Sequence, residues 1–398
     1  MKNTRVLISG ASVAGPALAY WLDRYGFEVT VLERFPDGLR PGGQAVDVRG
    51  PALDVVARMG AAERLRALTT GLRGMNVLDK NGTEVSRSTE RTLSGGRIDS
   101  PDVEILRDDL AHLLADAAGD RVEYLYGDSI TAVTQSADAV QVRLESGAER
   151  EFDLLVGADG VHSNTRRLVF GPEEDYLTHL GTYLAVWTAP NILGLDHWQT
   201  AYHTGLADAW GALVMSARDN TEARVYVGFN SDQPPADYVA LTPDEQRREL
   251  ARRYAAADGW EMPRLLQTMW QAPDFHFDAL AQIHMDRWSR GRVTLLGDAG
   301  YCGSPASGQG TSMALVGAYV LAGELHAADG DHVAAYAAYE RELRDYVTDN
   351  QNLALHGMEE HAAEAADAVP DPTAEAEAKA YFAKVVGSYT LKDYSPRR

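Results

Sequence analysis

The 398-residue sequence holds a single cysteine, Cys302, so neither an intrachain disulfide nor a cysteine-built zinc or iron–sulfur centre is available. Positive charge is also scarce: 37 Lys plus Arg stand against 58 Asp plus Glu, a formal net charge of −21. A nucleic-acid binder needs a basic stripe to neutralise phosphates, and an anionic membrane surface makes the same demand, so both partner classes are excluded. The 11 histidines include no H-x-H or H-E-x-x-H pair, and no catalytic metal is implied. Long apolar runs are missing as well. The one candidate, Val6 to Leu22, is broken by Gly10, Gly15 and Pro16 and followed by Asp23-Arg24. It reads as a buried strand feeding a helix rather than a signal peptide. The expectation is a soluble, cytoplasmic protein. What the chain does have is core material: 45% of its residues are hydrophobic, enough for two or three domains or one α/β body with an insertion.

Periodicity gives the organisation. Thr4–Ser9 reads as a strand, Gly15–Tyr25 as a helix and Phe27–Glu33 as a second strand, a βαβ unit. Helices are expected at Pro51–Met59 and Arg107–Ala118, and strands at Val122–Tyr126, Ile130–Gln135, Val140–Leu144 and Phe152–Ala158. From Gly181 to Phe229 the texture turns to aromatic and β-branched runs separated by turn residues, which suggests an antiparallel sheet in a second lobe. A helix at Asp244–Ala257, a strand at Val293–Leu296 and a helix at Gly310–Ala327 follow. The Ala- and Glu-rich tail reads as helix interrupted at Pro370-Asp371-Pro372.

The first strand runs into Gly10-Ala11-Ser12-Val13-Ala14-Gly15, the context of a dinucleotide phosphate loop. The first glycine makes the turn, the last lets helix and strand pack closely, and the helix N-terminus faces pyrophosphate. Ser12 stands where the middle glycine is usual. Glu33 ends the second strand, placed to bond an adenosine ribose, with Arg34 beside it.

Two further runs identify the cofactor. The Asp153–Ala158 strand enters Asp159-Gly160-Val161-His162-Ser163-Asn164-Thr165-Arg166. Later comes Gly297-Asp298-Ala299-Gly300, then Pro305, Gly308, Gln309, Gly310 and Thr311 ahead of a helix. With these motifs the chain resembles the class A flavin-dependent monooxygenases, the single-component FAD aromatic hydroxylases typified by para-hydroxybenzoate hydroxylase. Arg40-Pro41-Gly42-Gly43-Gln44-Ala45-Val46-Asp47 and Ile105-Leu106-Arg107-Asp108-Asp109-Leu110 look closer still to the tetracycline-modifying branch. The resemblance spans Thr4 to about Leu325.

The resemblance implies a Rossmann-type α/β FAD-binding domain built from 1–70, 101–180 and 275–330. It adds a substrate domain with a mixed or antiparallel sheet from 71–100 and 181–274, and C-terminal helices from 331. It implies non-covalent FAD held by Gly10, Ser12, Val13, Ala14, Gly15, Glu33, Arg34, Gly43, Gln44, Asp47, Arg107, Asp159, Gly297, Asp298, Gly308, Gly310 and Thr311. NADPH or NADH is the implied co-substrate, with Arg40 as nicotinamide contact. Arg107 could instead pair with Asp108 or Asp109, and Asp159 could simply cap a turn. The reaction implied is reduction of the flavin, addition of O₂ as a hydroperoxide, and oxygen transfer to an electron-rich ring. Val186, Met215, Tyr226, Pro305 and Ala306 are the implied substrate pocket. His203, Tyr202 and Tyr226 are candidates for a base acting on a substrate hydroxyl. Tyr301 and Ala306 depart from the pattern, and Ala306 would widen the pocket. The expected function is therefore hydroxylation or epoxidation of a large aromatic or polyketide-like molecule by a monomer or homodimer. Tetracycline-like antibiotic inactivation, a non-redox cyclase with FAD as scaffold, and a nucleotide-binding sensor are the alternatives.

Overall fold

A computed structural model describes residues 2–233, 238, 240–365 and 372–395. The helix break expected around Pro370 and Asp371 lies outside these residues. Two sheets organise the chain. The first has six strands in the order Ser289–Arg290, Val293–Leu295, Leu154–Gly157, Arg5–Ser9, Glu28–Glu33, Glu123–Tyr126. All its pairings are parallel except the one at the Ser289–Arg290 edge. Its central strands are buried on both faces and correspondingly apolar. Ala14–Arg24 packs against Gly310–Ala327, a helix buried from Ser312 to Leu325 and correspondingly apolar all round. Arg5–Ser9 sits between the strand that follows it and one contributed much later. Its C-terminal end is thus the switch point at which such sheets bind ligands.

The second sheet has seven strands in the order Phe275–Ile283, Leu177–Pro190, Glu222–Asn230, Ala209–Ala217, Gln199–His203, Met75–Leu78, Glu84–Ser88. It is mixed, because Gln199–His203 and Met75–Leu78 run parallel while the other pairings are antiparallel. One face is covered by helices Pro243–Arg253 and Met262–Met269, giving a second core around Trp187, Phe229, Tyr254 and Met262. A capping box between Thr242 and Glu245 starts the first of these helices. The other face looks toward the first sheet.

The structure differs from the sequence reading in three places. The single strand expected at Phe152–Ala158 is two: Glu149–Phe152 closes a three-stranded antiparallel sheet, and Leu154–Gly157 joins the parallel one. Arg5 explains the break, since its backbone N–H and its guanidinium both bond the Asp153 carboxylate at 2.9 Å. The helix expected to reach Ala257 stops at Arg253. The seven-stranded sheet also takes in residues up to Ile283. Among the described residues no helix is long and apolar enough to cross a membrane.

Candidate active site

A cleft of about 400 Å³ opens at the C-terminal end of Arg5–Ser9. Its floor is the loop Gly10–Ala14, and steric limits set the residue types there. Gly10 has φ +107°, and a Cβ on it would lie 2.4 Å from the Ala158 carbonyl oxygen. A Cβ on Gly15 would lie 1.9 Å from the carbonyl oxygen of Gly10. Only glycine closes this turn, and the closure leaves the first helix turn pointing into the cleft. Glu33 fixes the loop from the next strand, accepting bonds from the N–H groups of Ala11 and Phe35, both at 2.9 Å. Arg34 is exposed beside it on the cleft rim.

The second wall is the segment 40–44, held by Arg107. That guanidinium donates to the carbonyl oxygens of Arg40 at 2.9 Å and Gly42 at 2.6 Å, and to the Ser12 hydroxyl at 3.2 Å. The middle-glycine substitution therefore has a physical role: Ser12 ties the phosphate loop to the opposite wall. Burial and the nearby Arg40 lower the Arg107 pKa. The neighbouring carboxylates are used elsewhere, since Asp108 and Asp109 both pair with Arg218, at 2.9 and 2.8 Å. Gly43 lies against Arg107, where a Cβ would meet Nε at 2.5 Å, and Gln44 lines the cleft. Asp47 stands apart from the cleft lining. It pairs with Arg49 at 2.8 Å, and burial pushes its carboxyl up to about 7.

The third wall comes from the two later motifs. Asp159 accepts bonds from the backbone N–H and hydroxyl of Thr165 at 2.9 and 2.8 Å and from the Ser163 hydroxyl at 2.5 Å. It organises its own loop while lining the cleft. Arg166, fully buried, donates to the carbonyl oxygen of Ala299 at 2.9 Å and pairs with Glu173 at 2.7 Å, joining this loop to the Gly297-Asp298 turn. Asp298 opens a short helix at the strand end, and burial raises its pKa. Gly297 and Gly308 both take positive φ, 64° and 61°. Gly310 and Thr311 start the long helix on the cleft wall, where a Cβ on Gly310 would come 3.6 Å from Asp298 Oδ1. Pro305 lines the cleft, and the adjacent Ala306 is exposed. Glycine-cleared backbone, a glutamate at the end of the second strand, a half-buried aspartate and two helix N-termini fit a dinucleotide with a planar ring.

The second sheet meets this cleft through its open face. Its cross-strand partners form rows: His276, Val186, Tyr226 and Leu213 in one, and Thr188, Arg224, Met215 and Gln199 in the next. Arg224 donates to the Gly43 carbonyl oxygen at 3.1 Å, and the Ala45 N–H donates to the Tyr226 hydroxyl oxygen at 2.8 Å. These bonds fasten the open face to the segment 43–45, while Val186 and Met215 beside them are 2% and 0% exposed and, like Tyr226, are not part of the cleft lining. Of the three candidate bases, Tyr202 lies away from the cleft. Tyr202 points to the opposite face, where it belongs to the second core, lies 4.9 Å from the Trp260 ring and donates to the Lys80 carbonyl oxygen at 3.2 Å. Strand alternation puts it there, one position out of phase with Gln199. Tyr226 is on the open face but outside the cleft lining, and burial raises its pKa far above the ordinary tyrosine range. His203 is exposed at its strand end.

Three residues were not singled out from the sequence. His162 lies between Glu173, 2.8 Å from Nδ1, and Asp278, 3.0 Å from Nε2. Burial alone lowers this ring, but the bonds to Asp278 and Glu173 outweigh it and push it up to about 10. His162, Asp278 and His276 line both the cleft and a smaller adjoining cavity of about 200 Å³ that Arg34 and Arg40 also line. Only His162 had a visible signal, its place in the Asp159–Arg166 motif. Asp278 and His276 depend on strand register.

Comparison with known proteins agrees with this geometry. The FAD binding domain family model matches residues 3–352. An uncharacterised protein of Mycobacterium tuberculosis is 52% identical over 98% of this chain and 99% of its own length. A flavin-dependent monooxygenase from an unknown prokaryotic organism is 41% identical over 87% of each chain. The crystal structure of tetracycline destructase Tet(55) superposes with a TM-score of 0.84 at 36% identity, covering 99% of this chain and 100% of that one. The chain belongs to the FAD-binding family of flavin-dependent monooxygenases, and it is an FAD-dependent monooxygenase.

Proposed function

We propose that the enzyme uses NADPH or NADH and O₂ to hydroxylate or epoxidise a large aromatic or polyketide-like small molecule. The observation that carries this reading is the continuity of the FAD cleft with the open face of the second sheet through Arg224–Gly43 and Tyr226–Ala45. FAD, when bound, supplies the redox and oxygen-transfer chemistry. Gly10 to Ala14, Glu33, Arg107, Asp298 and Thr311 would hold it. The chain's own residues orient both partners and keep water from the space between them. The smaller cavity suits the nicotinamide co-substrate, with Arg34, Arg40 and protonated His162 facing its phosphates.

Substrate-stimulated NAD(P)H oxidation under air, measured over a panel of polycyclic phenols, tests the reading. Stimulation with oxygenated product is expected; oxidation indifferent to every aromatic would overturn it. A second reading, inactivation of a tetracycline-like antibiotic, is favoured by the likeness to Tet(55). Under that reading tetracycline itself would be the strongest stimulant.

A further inference from the structure

One wall of the cleft is held from both lobes. The segment 40–44 faces the cleft through Arg40, Gly43 and Gln44. Every main-chain polar group of Gly42 and Gly43 is taken by a charged side chain. The helix Arg107–Ala118 supplies two of these holds: Asp108 accepts from the Gly42 N–H at 2.9 Å, and Arg107 donates to the Gly42 carbonyl oxygen at 2.6 Å. The second sheet supplies the others. Asp274, just ahead of the strand Phe275–Ile283, accepts from the Gly43 N–H at 3.2 Å, and Arg224 donates to the Gly43 carbonyl oxygen at 3.1 Å.

The peptide group between Gly42 and Gly43 is thus gripped at its oxygen by one lobe and at its N–H by the other. Because a peptide is planar, these two bonds fix its orientation. The flanking residues do not: Gly42 has φ +71° and Gly43 φ +103°, and without Cβ atoms the plane between them turns at little cost. Asp274 also dictates the residue type, since a Cβ on Gly42 would lie 1.8 Å from its Oδ2. Thr188 aims the carboxylate, donating through its N–H at 2.8 Å and its hydroxyl at 3.0 Å. Thr188 is the cross-strand partner of Arg224, so one pair on adjacent strands governs both polar groups of a cleft residue.

We propose that Asp274 is a positioning residue for FAD: it sets the Gly42–Gly43 peptide plane and makes the second sheet part of the cofactor site. This role requires FAD as cofactor and is independent of the substrate's identity. Asp274 does not line the cleft and acts through Gly43. Its charge alone would work the other way, since a carboxylate beside the cleft repels a pyrophosphate. Burial lowers the pKa of Arg40 and of Arg107, and Asp274 opposes that at both. Both guanidinium groups stay charged without it. The two roles therefore differ in sign. Neutralising a carboxylate that acted only by charge would tighten FAD binding, whereas losing the Gly43 bond loosens it.

Asp274→Asn separates them. The amide offers one oxygen where Asp274 uses two, so the Thr188 and Gly43 N–H groups compete for it. FAD affinity, measured by titrating apoprotein, should fall roughly tenfold. Asp274→Ala should fall further. The visible circular dichroism of the bound flavin should change in both variants, while the apoprotein melting temperature moves little. In wild-type apoprotein, hydrogen exchange at the Gly43 amide should be slow before any FAD is added. Unchanged or tighter FAD binding by Asp274→Asn would overturn the proposal. So would apoprotein and holoprotein melts that fall equally at constant affinity, which would leave Asp274 a structural tie only. Fast exchange at Gly43 in wild-type apoprotein would overturn it as well, and that measurement decides alone if the Asn variant does not fold. Wild-type protein that takes up no FAD would remove the proposal together with the cofactor assignment.

Discussion

The cleft under the parallel sheet and the open face of the second sheet are built on different terms. In the cleft, backbone geometry dictates residue type: Gly10 and Gly15 have no room for a Cβ, and Glu33 and Arg107 are tied to specific backbone groups. On the open face, cross-strand register decides which side chains meet, as where Val186 stands between Tyr226 and His276. The first region is constrained by where the cofactor's backbone contacts must lie. The second is free to vary with the substrate. A family can thus hold one cofactor site while exchanging substrates.

The sharpest way to break this contrast is a methyl group in the cleft. Gly15→Ala should cost about 3 kcal/mol or more and abolish FAD retention, because the Gly10 carbonyl oxygen occupies the space. Thermal melting and flavin absorbance check it. Val186→Ala, by contrast, should leave flavin content unchanged and cost about 2 kcal/mol of stability through the buried methyl groups it removes. Next in size is Arg107→Met, which removes three hydrogen bonds to the segment 40–44 and Ser12. FAD affinity should fall roughly a hundredfold, measured by titrating apoprotein.

A smaller effect concerns pH. His162 is held up to about 10 in the folded protein by Asp278 and Glu173, against an ordinary value of 6.5. The native state therefore keeps a proton that the unfolded chain loses first. This stabilisation is complete below pH 6.5 and disappears as pH rises through about 10. Glu173→Gln should flatten that part of the melting-temperature profile. The smallest effect is expected from Tyr202→Phe. It loses one bond to the Lys80 carbonyl oxygen on the far face, about 1 kcal/mol of stability, with turnover unchanged.

The same contrast governs what could be read from the sequence. The parallel βαβ unit, the phosphate loop and the Gly297-Asp298 turn were legible because each is a local pattern whose physics is contained in a few consecutive residues. The tie between Ser12 and Arg107 was not, since it joins positions 95 residues apart. Tyr202 looked like a site residue because it lies on the right strand. Its face is settled only by the register with Ala212 and Leu78. His276 escaped notice for the complementary reason. It is one histidine in an unremarkable strand, and only its pairing with Val186 brings it to the cleft.

Under the proposed function, the FAD cleft and the open sheet face act together to place an oxygen atom from O₂ on an aromatic substrate. Turnover under ¹⁸O₂ with NADPH and 2-hydroxyanthraquinone, followed by mass spectrometry, tests it most directly. One ¹⁸O atom in the product is the predicted result. Product formed without O₂, or carrying oxygen from water alone, would contradict the account.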